Sequence, residues 1–363
     1  MGYATAATTA GGLLALLPAG LLVDRTGARS AFLIGAAVTI CGLTLSSVAA
    51  HPLLIYGVGV LIGAGTSVWR VAMAPLLMSL TGSQDRERAF SWNVALLVGS
   101  GALWTALAGR IPMWAGTTFG TQGADAYRIA LLVGAIGTAA SVAVFWGITL
   151  PARIAPATGS HSPPTPSPSP AAPSGAHGSG RRLWLQILVV ALFMTGPALV
   201  IPFSNIFFQR QHGLAVDRIG LILALSQLVT AAAVFGSGEL AARLGPLRTL
   251  AGWSLVFGPT LWALAYADAI RPAIGLFMLQ GMVAPSTYPL VDQILLENAP
   301  VRRYGTISGW RNAATEASGM AGASVGGVLL KATSFPVLFM WAGTFGLVAA
   351  VALIVSLRKL PRS

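Results

Sequence analysis

Charge is scarce in this chain. Asp and Glu number 10 and Lys and Arg 22 in 363 residues, so charged side chains make up only 9% of it. Soluble domains carry roughly 25%. Too few charges exist to cover a water-facing surface of this size, which excludes an ordinary cytosolic enzyme. A hydrophobic content of 55% and a mean hydropathy of +0.74 exclude a disordered chain, which lacks apolar surface to bury. Cysteine is almost missing: Cys41 stands alone, so neither an internal disulfide nor a thiolate metal cluster can form. Cys41 lies in an apolar run and is expected to be a small buried residue. No His or Cys sits beside a plausible acid in a pocket-forming segment, so the chain does not read as an enzyme and needs no cofactor. A Gly-x4-Gly-Lys-Ser/Thr loop is absent, which argues against an ATP-driven pump. Nothing resembles a re-entrant filter, so a carrier is preferred to a channel.

What is present is a succession of apolar runs. A membrane-crossing helix needs about 20 mostly apolar residues. Runs 2–23, 31–50, 89–109, 129–150, 183–209, 219–238, 249–267, 273–291 and 333–357 hold no charged residue. Two more are interrupted, 53–80 by Arg70 and 305–330 by Arg311 and Glu316. The runs are continuous rather than alternating, which favours helices over an outer-membrane barrel. The expected fold class is an all-α polytopic membrane protein with eleven spans.

Lys and Arg fix the orientation, because short cytoplasmic loops collect them. Alternate loops carry Arg25, Arg29, Arg86, Arg88, Arg153, Arg181, Arg182, Arg243, Arg248, Arg302, Arg303 and the C-terminal Arg358, Lys359 and Arg362. The other set carries only Arg110, Arg128, Arg210, Arg218, Arg271 and Lys331. The richer set is expected inside, with the C-terminus, in a multi-pass cell-membrane protein. The net charge of +12 then reflects sidedness and not a nucleic-acid footprint.

Residues 151–182 are rich in Pro, Ser and Gly and read as a cytoplasmic linker between an N-terminal bundle, 1–150, and a C-terminal bundle, 183–363. His161 and His177 lie there without other ligand types, so no metal site is expected. The two sides repeat each other at a constant shift of 218: Gly20 matches Gly238, Arg25 matches Arg243, Gly27 matches Gly245, Gly63 matches Gly281 and Trp92 matches Trp310. A same-sense duplication gives two helix bundles about an axis normal to the membrane, with the substrate site between them. By this shift the span at 183–209 has its counterpart before residue 1, which divides the spans five and six. An external Met1 hints that something upstream is absent.

The loop after the first span reads Gly20-Leu-Leu-Val-Asp24-Arg25-Thr-Gly27-Ala-Arg29. It resembles the signature Gly-x-x-x-Asp-Arg-x-Gly-x-Arg of the major facilitator superfamily, found there between the second and third helices. A decayed copy, Gly238-x-x-x-Ala242-Arg243-x-Gly245, recurs in the second half. The resemblance covers the whole chain and implies a fold of two pseudo-symmetric bundles that transports solutes by alternating access, here without the family's first helix. It also implies that Gly20, Asp24, Arg25, Gly27, Arg29, Gly238, Arg243 and Gly245 form a conformational switch. That loop would latch the halves on the cytoplasmic side in the outward-open state. The residues make physical sense of this: Gly20 permits close helix approach, Gly27 a tight turn, and Asp24 can cap a helix or pair with an arginine.

Ionisable groups within spans are costly and point to function. Glu316 lies about twelve residues into its span, or roughly 18 Å at 1.5 Å per residue. Buried near the midplane, its carboxyl is expected to have a raised pKa, as suits a proton carrier or a cation counter-ion. Asp292 and Arg311 are expected to bridge neighbouring spans, and Arg70 to serve as an anchor or gate partner. Among polar span residues (Asn93, Asn205, Gln227 and Gln280), the resemblance favours Asn205 and Gln280, because the first, fourth, seventh and tenth family helices line the cavity. Pro197, Pro202, Pro285 and Pro289 mark expected kinks. The cavity is expected to be mostly apolar with few fixed charges, which favours proton-coupled efflux of a small organic compound. Uptake of a sugar or metabolite is the alternative, and a truncated, non-transporting protein a third reading. The expected partners are that solute and the lipid bilayer, with no nucleic acid, around a monomer.

Overall fold

A computed structural model describes residues 2–49, 51–82, 85–108, 111–120, 124–147 and 176–358. The first half comprises α1 (Gly2–Thr26), α2 (Ala28–Val48), α3 (Pro52–Leu80), α4 (Arg86–Ala108), a short α5 (Ile111–Phe119) and α6 (Ala124–Gly147). The second comprises α7 (Ala176–Val200), α8 (Ser204–His212), α9 (Val216–Leu244), α10 (Pro246–Ala265), α11 (Ile270–Glu297), α12 (Tyr304–Ala332) and α13 (Phe335–Arg358). No strand occurs among the described residues. The protein is all-α, as its apolar runs require: in lipid, a chain must satisfy its backbone hydrogen bonds within each segment.

Eight helical segments are long and apolar enough to cross a membrane. The other three long helices, α4, α10 and α12, fall short of that measure, and each packs between helices: α4 on α9 and α11, α10 on α11 and α13, α12 on α1 and α7. The short α5 was not foreseen. Nor was the start of α7 at Ala176, inside the stretch read as linker; residues 151–175 lie outside the described residues. Pro202 breaks the expected span 183–209, where a 3-10 turn over Ile201–Phe203 separates α7 from α8. Pro197 lies inside α7, and Pro285 and Pro289 lie inside α11. Cys41 is exposed, against expectation. Lipid accepts apolar side chains on the outer face of a span, so an apolar run does not imply burial.

The internal repeat is structural. Shifted by 218, Ala28–Val48 becomes 246–266, against Pro246–Ala265 for α10. Gly27 has φ 84° and ψ 154°, and Gly245 has φ 89° and ψ 150°. Both have a positive φ, which favours glycine, and each joins two helices in the same way. Gly27 donates its N–H to Val23 at 2.9 Å, and Gly245 donates to Ala241 at 2.8 Å.

The halves are unequally packed. A large apolar core runs through α7–α13, built on Phe193, Phe257, Leu261 and Phe339. The first half has a small one around Leu16, Ala19 and Val71. In the second half α7 packs against both α12 and α13. Among the described residues no helix takes that place between α4 and α6. A cavity of about 570 Å³, lined from α2, α3, α4, α5 and α6 and including Trp69, Trp104 and Gly137, lies in that region.

Candidate functional site

Two sets of contacts tie the halves together at the arginine-rich end. In the first, Gly20 lets α1 lie directly on α12: a Cβ there would come within 2.7 Å of the Gly305 carbonyl. Asp24, one turn further on, thereby reaches the start of α12. Gly305 donates its N–H to Oδ1 at 2.7 Å and Thr306 donates its N–H to Oδ2 at 2.9 Å. The Thr306 hydroxyl also donates to Oδ2. The carboxylate of one half thus caps a helix of the other, satisfying N–H groups that a helix leaves unpaired and meeting its positive end. Arg25 is exposed, and Arg29 lies 6.0 Å above the Phe145 ring on α6.

The repeat places α4 against α9 in the same way, and a Cβ on Gly238 would meet the Ser91 Cβ at 2.6 Å. Ala242 replaces the carboxylate here. Glu239, three residues earlier, supplies a charge instead and pairs with Arg88 at 3.0 Å. Beside it the Gln293 amide donates to Glu87 at 3.1 Å and to Glu297 at 3.0 Å, and Arg86 stands 3.7 Å from Glu297. Arg243 is exposed. Glu239 and Glu87 escaped the sequence reading because their charges look like loop anchors until α4, α9 and α11 are brought together, and Gln293 because it carries no charge at all.

Between the halves lie two adjoining cavities of about 300 and 310 Å³, which share Trp69, Arg70 and Glu316 as walls. Arg70 on α3 donates to Glu316 on α12 at 2.8 Å, with side-chain exposures of 42% and 38%. Glu316 is therefore half-exposed and paired across the halves, not buried as expected; the cavity cuts the span open at this depth. Arg311 binds Asp292 at 2.6 Å and lies 5.8 Å from the Tyr288 ring. Asn312 donates to the Ser308 carbonyl at 2.8 Å, and the Ser308 hydroxyl donates across the halves to Val71 at 3.0 Å.

The cavity of about 310 Å³ sits on the axis of the repeat. Its walls include Arg70 and Tyr288, Asn93 and Arg311, and Leu97 and Thr315, and each pair is separated by 218 residues. Applied to the polar span residues, the shift would have singled out Asn93 over Gln280. Gln280 is 1% exposed and lines none of the cavities described; both its amide atoms lack partners. Asn205 is exposed on α8 and also lies away from these cavities. The expectation of few fixed charges fails: Arg70, Asp292, Arg311 and Glu316 all line the wall.

Duplicated bundles clasped at one end around a charged cavity define a membrane transport scaffold. The Major Facilitator Superfamily profile matches residues 1–250 and 187–363. The chain belongs to that family. In structure it is similar to FucP in the outward conformation (13% identity, TM-score 0.77, 100% of this chain and 90% of the other). It is also similar to the human organic anion transporter MFSD10 (13%, 0.72, 97% and 82%). A third likeness is to the proton:xylose symporter XylE (13%, 0.70, 96% and 83%). At such identities the likeness shows the fold. No curated protein matches the chain in sequence.

Proposed function

We propose that the protein is a secondary active transporter of a small polar organic solute, coupled to protons through Glu316. The Arg70–Glu316 pair carries this reading. It is the ion pair of the central cavity that joins the two halves, at 2.8 Å, so its making and breaking accompany any opening of one half against the other. The Asp24 cap on α12 closes the arginine-rich end, which suits the outward-open arm of an alternating-access cycle. With the loops Arg25–Arg29 and Arg302–Arg303 inside, that end and the C-terminus are cytoplasmic and the bilayer is the cell membrane. The efflux reading rested on a cavity with few fixed charges. The four charged side chains and Asn93, Asn312 and Thr315 along its wall favour a polar metabolite instead.

The test is transport by purified protein in liposomes under an imposed pH gradient. Solute movement that follows the gradient in the wild type and ceases to follow it in Glu316→Gln supports the reading. Movement indifferent to pH in both rejects proton coupling through this residue.

A further inference from the structure

We infer that the solute is an organic anion carried together with a proton, its carboxylate or other acidic group replacing Glu316 as the partner of Arg70. This rests on the transporter reading above and names the substrate class of the same site. The charged and titratable groups that face Glu316 across the cavities are Arg70 from α3, Tyr288 and Asp292 from α11, and Arg311 from α12. From α1 come Thr8 and Thr9, and from α4 Asn93. Asp292 is held by Arg311 at 2.6 Å, with exposures of only 21% and 9%, so that pair is closed and neutral. Arg70 and Glu316 are the half-exposed pair.

Charge balance then selects the solute. In the empty carrier the two ion pairs sum to zero. A neutral solute that displaces Arg70 from a protonated Glu316 leaves Arg70 without a counter-ion. A cation bound beside ionised Glu316 leaves the same excess of one positive charge. Uncompensated charge in a cavity that must close within the membrane is strongly disfavoured. An anion on Arg70 with a proton on Glu316 restores zero. Each ligand then favours the other by the same factor, as linkage requires. In the cycle a proton from the outer water joins the Glu316 carboxylate as the anion takes Arg70, and both leave on the far side. With a singly charged anion the step moves no net charge. The walls suit such a ligand: the Thr66 and Ser67 side chains flank Arg70 on one side and Asn93 and Asn312 on the other.

The experiment uses the full chain in liposomes loaded with a pH-sensitive dye, with solutes matched in skeleton but not in charge. Gluconate and galacturonate are the anions, glucose and galactose the neutral solutes, and glucosamine and galactosamine the cations. Acidification of the lumen is expected with the anions alone, at least tenfold faster than in empty liposomes and unchanged when the membrane potential is clamped. Arg70→Gln should abolish it. Arg70→Lys, which keeps the charge, should retain part of it and shows whether a silent Arg70→Gln has merely misfolded. Proton movement evoked by the sugars or amines with the anions silent overturns the anion assignment and leaves the proton-coupled reading standing. Proton movement with none of the solutes overturns both.

Discussion

Asp24 and Thr306 stand 282 residues apart and in opposite halves, yet Thr306 gives both its amide and its hydroxyl to one oxygen of the Asp24 carboxylate. The cap exists only while α1 lies against α12. Any conformation that parted these helices would lose it, and such a differential contact is what a ligand or mutation needs in order to shift an equilibrium.

Asp24→Asn removes the charge and leaves the shape. A carboxylate at a helix N-terminus is worth about 1–2 kcal/mol in partly buried settings, so the closed form should lose roughly tenfold in population. Trypsin acting on the arginine-rich face should cut after Arg302 or Arg303 correspondingly faster, with little change in melting temperature. An unchanged cutting rate would show that the cap does not govern closure.

Gly20 tests the same interface by packing. A Cβ there meets the Gly305 carbonyl at 2.7 Å, and that carbonyl belongs to a helix and cannot swing away. Overpacking costs about 1–3 kcal/mol, and here the cost falls on the closed form. Gly20→Val should lose solute transport while the purified protein remains folded by size-exclusion chromatography. Normal transport by this variant would mean that α1 and α12 need not approach so closely.

The two ion pairs of the cavity should behave differently. Arg70 and Glu316 are each more than a third exposed, and such pairs contribute about 0–1 kcal/mol to stability. Arg70→Gln should therefore melt close to the wild type and fail in transport.

Asp292 and Arg311 are largely buried. Removing one partner of a buried pair leaves a charge uncompensated and costs about 3–5 kcal/mol, whereas an apolar replacement of both is often neutral. Asp292→Ala should be strongly destabilised, and adding Arg311→Met should recover most of the loss in a thermal melt. Additive losses in the double variant would contradict a closed, neutral pair.

The fold was legible because lipid imposes it: apolar runs, arginine-rich loops and a repeat of Gly20, Gly27 and Trp92 at Gly238, Gly245 and Trp310 carry its outline. The loop from Gly20 to Arg29 was legible because its motif is contiguous and Gly27 acts locally, through a turn; which helix Asp24 caps was not, because Gly305 and Thr306 lie 281 and 282 residues away. The cavity was less so. Glu316 was found as an ionisable group in a span, but not its partner, because Arg70 is 246 residues away and charge alone gives no direction on a helix face. Gln280 and Asn205 do not line the cavities described, for the same reason: a polar side chain in a span can face the bundle interior or the outer surface as readily as a cavity. Cys41 misled because the outside of this protein is itself apolar.

If the two halves rock about the Arg70–Glu316 cavity, one end closes as the other opens. Spin labels report it directly, with Cys41 replaced by Ser, one pair at Thr26 and Val301 on the arginine-rich end, and one at Leu53 and Arg271 on the other. On passing from neutral to acidic buffer with solute present, the first distance should lengthen and the second should shorten in the same sample. Two distance distributions that stay fixed under every condition, or that lengthen together, would contradict it.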